Sequence, residues 1–183
     1  MVRVRVVKVA GYCFAVGAIS LENTSHAAVV ERVVKSLDSV QFINPERVFD
    51  WDVFDAALVN AVLVYGTAKQ KARSLANEVL LRLAATTQLE NAINRVGLRD
   101  GLKSAVFVAV AASEDEAIRL GRKLVELSGC RELELPAARI EDRLDEVVGF
   151  YGLDERQISA VQAKTRPEAV KLLVMKKIAS TIL

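Results

Sequence analysis

Ala105-Val106-Phe107-Val108-Ala109-Val110-Ala111-Ala112 is an unbroken apolar run rich in valine. A run of this kind needs burial on both faces, which places it centrally in a covered sheet. Downstream, Ser113 with Glu116 reads as a capping box opening a helix that buries Ala117, Leu120, Leu124 and Leu127 until Gly129 ends it. Arg131 to Leu135 is a short strand stopped by Pro136. Helix is expected next over about Ala137 to Phe150, then a turn from Asp154, and a last helix opened by Thr165-Arg166-Pro167-Glu168.

Upstream of the valine run, Arg99-Asp100-Gly101 makes a turn. Gln88 to Val96 is a short helix capped by Thr87, with Glu90 three residues on. Its buried stripe is Leu89, Ala92, Ile93 and Val96, and Gly97 stands where a left-handed terminal residue belongs. Leu75, Val79, Leu80 and Leu83 mark another helix, and Asp52 to Val64 a longer one burying Leu58, Ala61, Val62 and Tyr65. Val40 to Ile43 is a strand ended by Asn44-Pro45. Asn23-Thr24-Ser25 offers caps for a helix carrying Val29, Val30, Val33, Val34 and Leu37, with His26 in its first turn. Val2, Val4 and Val6 share one face of a first strand, Arg3 and Arg5 the other, and Gly11 and Gly17 punctuate the chain after it. The fold class is α/β: a single mixed domain over residues 1–183, with a small, largely antiparallel or mixed sheet covered by several helices.

The totals agree. A chain of 183 residues with 52% hydrophobic and 26% charged residues has the material for one core. A net charge of +2 is too small for a protein that coats long duplexes, so any nucleic-acid contact is small or shared. No stretch reaches the roughly 18 apolar residues of a membrane helix, and the N-terminus alternates like a strand rather than a signal peptide. Cys13 and Cys130 lie far apart without paired spacing, which suits reduced thiols in a cytoplasmic protein.

Enzyme chemistry finds little support. Asp50-Trp51-Asp52-Val53 superficially matches a D-x-D-x-[TV] phosphatase loop, but Asn44-Pro45-Glu46-Arg47 breaks the strand that such a loop requires. These acids read instead as the cap and first turn of the Asp52 helix. Glu114-Asp115-Glu116 is another acidic first turn, and Glu141, Asp142, Asp145 and Glu146 form a solvated face. There is no glycine-rich dinucleotide motif, no P-loop and no metal-ligand cluster, and one histidine leaves few routes to acid–base catalysis. The expectation is a protein with no catalytic residues, cofactor, metal or small-molecule substrate.

The basic residues are more informative. Lys69, Lys71 and Arg73 enter the Leu75 helix, Arg82 lies on it, and Thr86, Thr87 and Gln88 start the next. A helix N-terminus presents free N–H groups suited to a phosphate, and Thr and Gln side chains nearby suit an unstacked strand. The plainer reading is a capping box beside solvated lysines.

Glu78-Val79-Leu80-Leu81-Arg82, then Thr87-Gln88-Leu89, Ala92-Ile93 and Gly97, resembles the signature of the kinase-binding accessory subunit of the KEOPS complex, the TPRKB-like family in its archaeal-type form. That pattern runs E-[IL]-L-x-[RY], then S-G-x-x-Q-[IL]-x-x-A-[IL], then a glycine. The order of other elements agrees, including the Ala57–Ala61 helix, the Val106–Val110 strand, Phe150-Tyr151-Gly152 and a helix around Ala169–Ala179. Where the family carries Ser-Gly this chain has Ala84-Ala85, so contacts relying on a bare glycine backbone do not carry over. The resemblance implies a non-catalytic subunit of the tRNA threonylcarbamoyladenosine-forming complex. It implies binding to the small kinase subunit and to the single-stranded CCA 3′ end of tRNA. Carried over residue by residue are Arg82, Thr87, Gln88 and Leu89, with Thr86, Lys69, Lys71 and Arg73 as neighbours. The C-terminal and Leu75 helices are the expected kinase-facing elements. A purely protein-binding regulator of a kinase without RNA contact is the alternative.

Overall fold

The valine run forms a strand (β4, Ser104–Ala111) with neighbours on both sides and helices over both faces. The computed structural model describes residues 3–181; Val2, assigned above to the first strand, lies outside the described residues. Around β4 runs a five-stranded antiparallel sheet in the order β1 (Arg5–Val9), β2 (Tyr12–Ser20), β4, β3 (Val40–Ile43). A short β5 (Glu132–Leu133) pairs with Ala18 and Ile19 of β2, beyond the stretch of β2 that β1 occupies.

Alternation decides which side chain meets which layer. Phe14, Val16 and Ala18 of β2 and Val106 and Val108 of β4 point to one face. They pack there against α2 (Trp51–Val64), α3 (Leu75–Leu83), α4 (Leu89–Val96), α6 (Leu144–Tyr151) and α8 (Arg166–Ser180). Ala15, Ile19, Ala105, Phe107 and Ala109 point the other way, onto α1 (His26–Val34) and α5 (Glu114–Ser128). One further helix, α7 (Glu155–Ala160), packs beside α8. Side-chain caps by Ser25, Asp50, Ser74, Ser113, Asp154 and Thr165 fix six of the helix starts.

The longest described strand, β2, is the one that the sequence hides. Gly11 and Gly17 look like punctuation. Gly11 does turn the chain, since Ala10 (φ 43°) and Gly11 (φ 87°) join β1 to β2 with the two positive φ angles of a tight hairpin. Gly17 does not. It pairs with Phe107 across β4, and a Cβ placed on it would collide with the Cζ of that ring. The glycine makes room for an aromatic ring lying over the strand.

Three other expectations change. The helix expected from Ala137 begins at Leu144, after a 3-10 turn at Ile140–Arg143. The intervening chain is held extended where the Trp51 indole N–H donates to the Pro136 carbonyl at 3.0 Å. Gly97 is extended (φ −73°, ψ 177°), not left-handed. The Leu75 helix, α3, has no free apolar face: every residue from Leu75 to Leu83 except Asn77 is buried. It therefore cannot serve as a docking face.

Gly17→Ala should lower stability by about 1–3 kcal/mol, because Phe107 is fully buried and has nowhere to move. Thermal unfolding of the single variant and of Gly17→Ala/Phe107→Leu checks this, with the second expected to recover part of the loss.

Candidate functional site: the junction of the third and fourth helices

Arg82, expected at the surface as a ligand contact, is fully buried on α3. Helical spacing puts it one turn after Glu78, and its Nη2 donates to Glu78 Oε2 at 2.8 Å with neither side chain exposed. The other carboxylate oxygen, Oε1, accepts the backbone N–H of Ala72 at 2.6 Å and that of Lys71. The pair thus fixes the inner end of the loop between α2 and α3 from within the core. Nε and Nη1 of Arg82 meet no acceptor among the described residues. Within the described residues the contacts of Arg82 position the loop through Glu78.

Lys69, Lys71 and Arg73 are exposed, and none of them meets a carboxylate among the described residues. Their loop is ordered by Gln70, whose side chain accepts from Gly66 N and donates to the Ala72 carbonyl, both at 2.7 Å. The loop lies at the N-terminal end of α3, while Thr86–Leu89 lies at the C-terminal end. At about 1.5 Å per residue, that helix keeps the two groups roughly 13 Å apart along its axis. The residues expected at one site therefore form two separate surface groups and one buried positioning residue.

At the C-terminal end, α3 closes with the Thr86 N–H donating to the Leu81 carbonyl at 3.1 Å and the Ala85 N–H to the Arg82 carbonyl at 2.9 Å. That is a Schellman arrangement, and its left-handed position is filled by Ala85 at φ +48°. An L side chain is disfavoured there. The next helix starts differently from the expectation. Its N-cap is Gln88, not Thr87, and among the described residues no side chain caps it. The Gln88 Oε1 instead accepts from Asn91 Nδ2 at 2.7 Å, while Thr86 Oγ1 accepts the Gln88 N–H at 3.3 Å. The first-turn N–H groups of α4 are thus left without a side-chain cap, with Thr87 and Gln88 exposed and Leu89 half-buried beside them. The Glu90 carboxylate shares that turn. Of the expected stripe, Ala92 and Val96 are buried, but Ile93 is 46% exposed.

The cations linked to this junction are ones that sequence proximity misses. The Tyr151 hydroxyl donates to the Leu83 carbonyl at 2.9 Å, tying the end of α6 to the end of α3. Burial pushes that phenol well above its ordinary range, so it stays a neutral donor. Next to it, Arg95 of α4 stacks over the Phe150 ring at 4.5 Å and donates to the Phe150 carbonyl at 2.6 Å. Arg47 lies over the same ring at 5.4 Å, and Arg143 over Phe49 at 4.8 Å. Phe49 and Phe150 are themselves 5.2 Å apart. Three arginines on two adjacent rings, with Glu146 pairing Arg47 and Arg143, make a cationic aromatic cluster tied to the last turn of α4, where Arg95 stands. They come from a 3-10 turn, α4 and the chain just before α6, so no local motif announces them.

Asp50 is a cap. Its Oδ1 accepts the N–H groups of Asp52 (2.9 Å) and Val53 (3.4 Å) and lies 3.0 Å from Lys171 Nζ. Among the described residues no three His, Cys, Asp or Glu side chains gather as a metal site, and no helix is long and apolar enough to cross a membrane.

Two substitutions probe the junction. Ala85→Gly should raise stability by about 1 kcal/mol by relieving the left-handed alanine, read as a higher melting temperature. Arg82→Leu should cost about 3–5 kcal/mol, since it leaves the Glu78 carboxylate buried without its counter-charge. Denaturant unfolding measures both.

No curated protein matches the chain. A family model described as Kinase binding protein CGI-121 matches residues 21–181, which takes in every element from α1 to α8, the buried pair and the junction. The chain belongs to that family of kinase binding proteins.

Proposed function

We propose that the chain is a non-catalytic subunit of the KEOPS complex that holds the small kinase subunit and the single-stranded CCA 3′ end of tRNA. Family membership supports the kinase half. The observation that carries the RNA half is the α4 N-terminus without a side-chain cap, with the Arg95–Phe150 stack about 9 Å further along the same helix, at its last turn. Exposed backbone N–H groups suit one phosphate, and a guanidinium plane suits stacking against an unpaired base. Such a contact needs few cations, in keeping with the net charge of +2. Gln88, Thr87, Thr86 and Leu89 keep their proposed place at this site. Lys69, Lys71 and Arg73 become a second contact at the far end of α3, and Arg82 acts through the fold.

For the kinase, α8 and its neighbour α2 offer exposed apolar side chains. Leu172 on α8 is 45% exposed, and Leu63 and Val59 on α2 are 65% and 40% exposed. The two helices pack against each other, with Lys171 bridging Asp50 and Asp52 across their contact. Apolar side chains on adjoining helices fit a protein partner better than a polar strand.

One experiment separates the halves. Filter binding of intact tRNA should be at least tenfold tighter than that of tRNA trimmed of its CCA. Arg95→Ala with Gln88→Ala should weaken only the intact form, by about 1 kcal/mol or roughly fivefold. Leu63→Asp with Leu172→Asp should abolish co-purification of the kinase without changing RNA retention. Equal retention of intact and trimmed tRNA would leave a purely protein-binding regulator.

A further inference from the structure

Strand β3 is an edge of the sheet, and its backbone parity is fixed by two hydrogen bonds. The Val110 N–H donates to the Ser39 carbonyl at 2.9 Å, so Ser39, Gln41 and Ile43 turn their backbone groups toward β4. Val40 and Phe42 therefore turn theirs outward. The next outward group, the Asn44 N–H, is taken by the Val96 carbonyl at the end of α4 at 2.9 Å. The outward N–H and C=O of Val40 and Phe42 meet no partner among the described residues.

This edge lacks the usual guards. From Ser39 to Asn44 it carries no charge and no proline, whereas the opposite edge strand, β1, holds Arg5 and Lys8. Unguarded apolar edges promote unwanted pairing and persist where pairing is used. The edge is also the floor of a groove of about 550 Å³. Val30 and Val34 of α1 form one wall, and Ile93 of α4 with Leu98 the other, over Gln41 and Phe42. Val34 and Ile93 are each 46% exposed. The groove holds no lysine or arginine; it carries the Glu31 carboxylate, and its His26 Nδ1 lies 3.3 Å from the Asp100 carboxylate, so it offers a phosphate backbone no fixed positive charge.

We propose that this groove takes an extended, apolar segment of a partner protein as an added strand on β3. Its backbone would pair with Val40 and Phe42, and its alternate side chains would enter the groove between Val34 and Ile93. Free main-chain donors and acceptors along the floor select an extended chain over a helix, which would bring no main-chain groups of its own to pair with them. The site is distinct from the α2–α8 face and from the α4 N-terminus, so it stands whether or not the tRNA reading does.

The test selects a random twelve-residue peptide display library on the full chain, with the double variant Val34→Glu/Ile93→Glu as counter-selection. Both positions are on the surface, so the variant should melt within a few degrees of the parent. Selected peptides should carry apolar residues at every second position, and should slow hydrogen exchange of the Phe42 amide at least tenfold in the unaltered chain. N-methylation of their alternate amides should weaken binding at least tenfold. The proposal is overturned if selection yields no sequence that distinguishes parent from variant, or if the selected spacing is helical. It is equally overturned if Phe42 exchange is unchanged by peptide. Protection of Phe42 by rising protein concentration alone would assign the edge to a second copy, and protection by a CCA-ended RNA would assign it to nucleic acid; either refutes the peptide reading.

Discussion

A carboxylate with no access to water sits at the middle of the helical layer, and much of the molecule is arranged around it. Glu78 is costly to bury, and its charge is tolerated because Arg82 and the amides of Lys71 and Ala72 surround it. Those partners belong to the loop before α3 and to the helix's own last turn, so one ionic contact fixes the path of the chain on both sides of α3. An apolar pair of the same volume would cost less desolvation, but it would offer the loop no acceptor. The pair specifies geometry more than it adds stability.

That geometry explains why the two exposed groups near α3 behave as separate surfaces. The helix is enclosed by α2, α4 and the sheet, with only Asn77 partly open, so the chain reaches the surface in the segments before and after it. At one end the basic loop is held by Gln70 and Glu78; at the other the Schellman turn delivers α4 against α6. The Tyr151 hydroxyl and the Arg95 guanidinium then bind that corner to the C-terminal helices. Residues adjacent in sequence are parted here, and residues some fifty positions apart, Arg95 and Phe150, are joined.

Much of the architecture can be read from local pattern, and the exceptions have physical causes. The valine run, the strand at Val40–Ile43 and the caps at Ser25, Asp50, Ser113 and Thr165 arise from periodicity and side-chain chemistry that act over a few residues. Strand β2 escapes because Gly17 owes its identity to a ring ninety positions away, Phe107, and not to a bend. The cap at Thr87 fails because Gln88 occupies the capping position itself. Arg82 and Glu78 can be read as a pair four residues apart, but their burial depends on elements packed around α3 from elsewhere. The arginine–phenylalanine cluster has no sequence signature, being assembled from three distant segments. Family membership could be seen in the Glu78–Gly97 block because its residues are contiguous, running from α3 through the Schellman turn to the end of α4.

The pairing of Gly17 with Phe107 also sets a schedule. During synthesis β1 and β2 emerge before β4, and their short turn lets them pair at once. The strand that covers the other side of β2 is completed ninety residues later. At about 5–20 residues per second that is a wait of roughly 5–20 s, with a nine-residue apolar strand bare along one side. Long-range pairing of this kind also slows the final collapse. Between the appearance of β2 and that of β4 the nascent chain thus carries an apolar strand with one edge open to unwanted pairing.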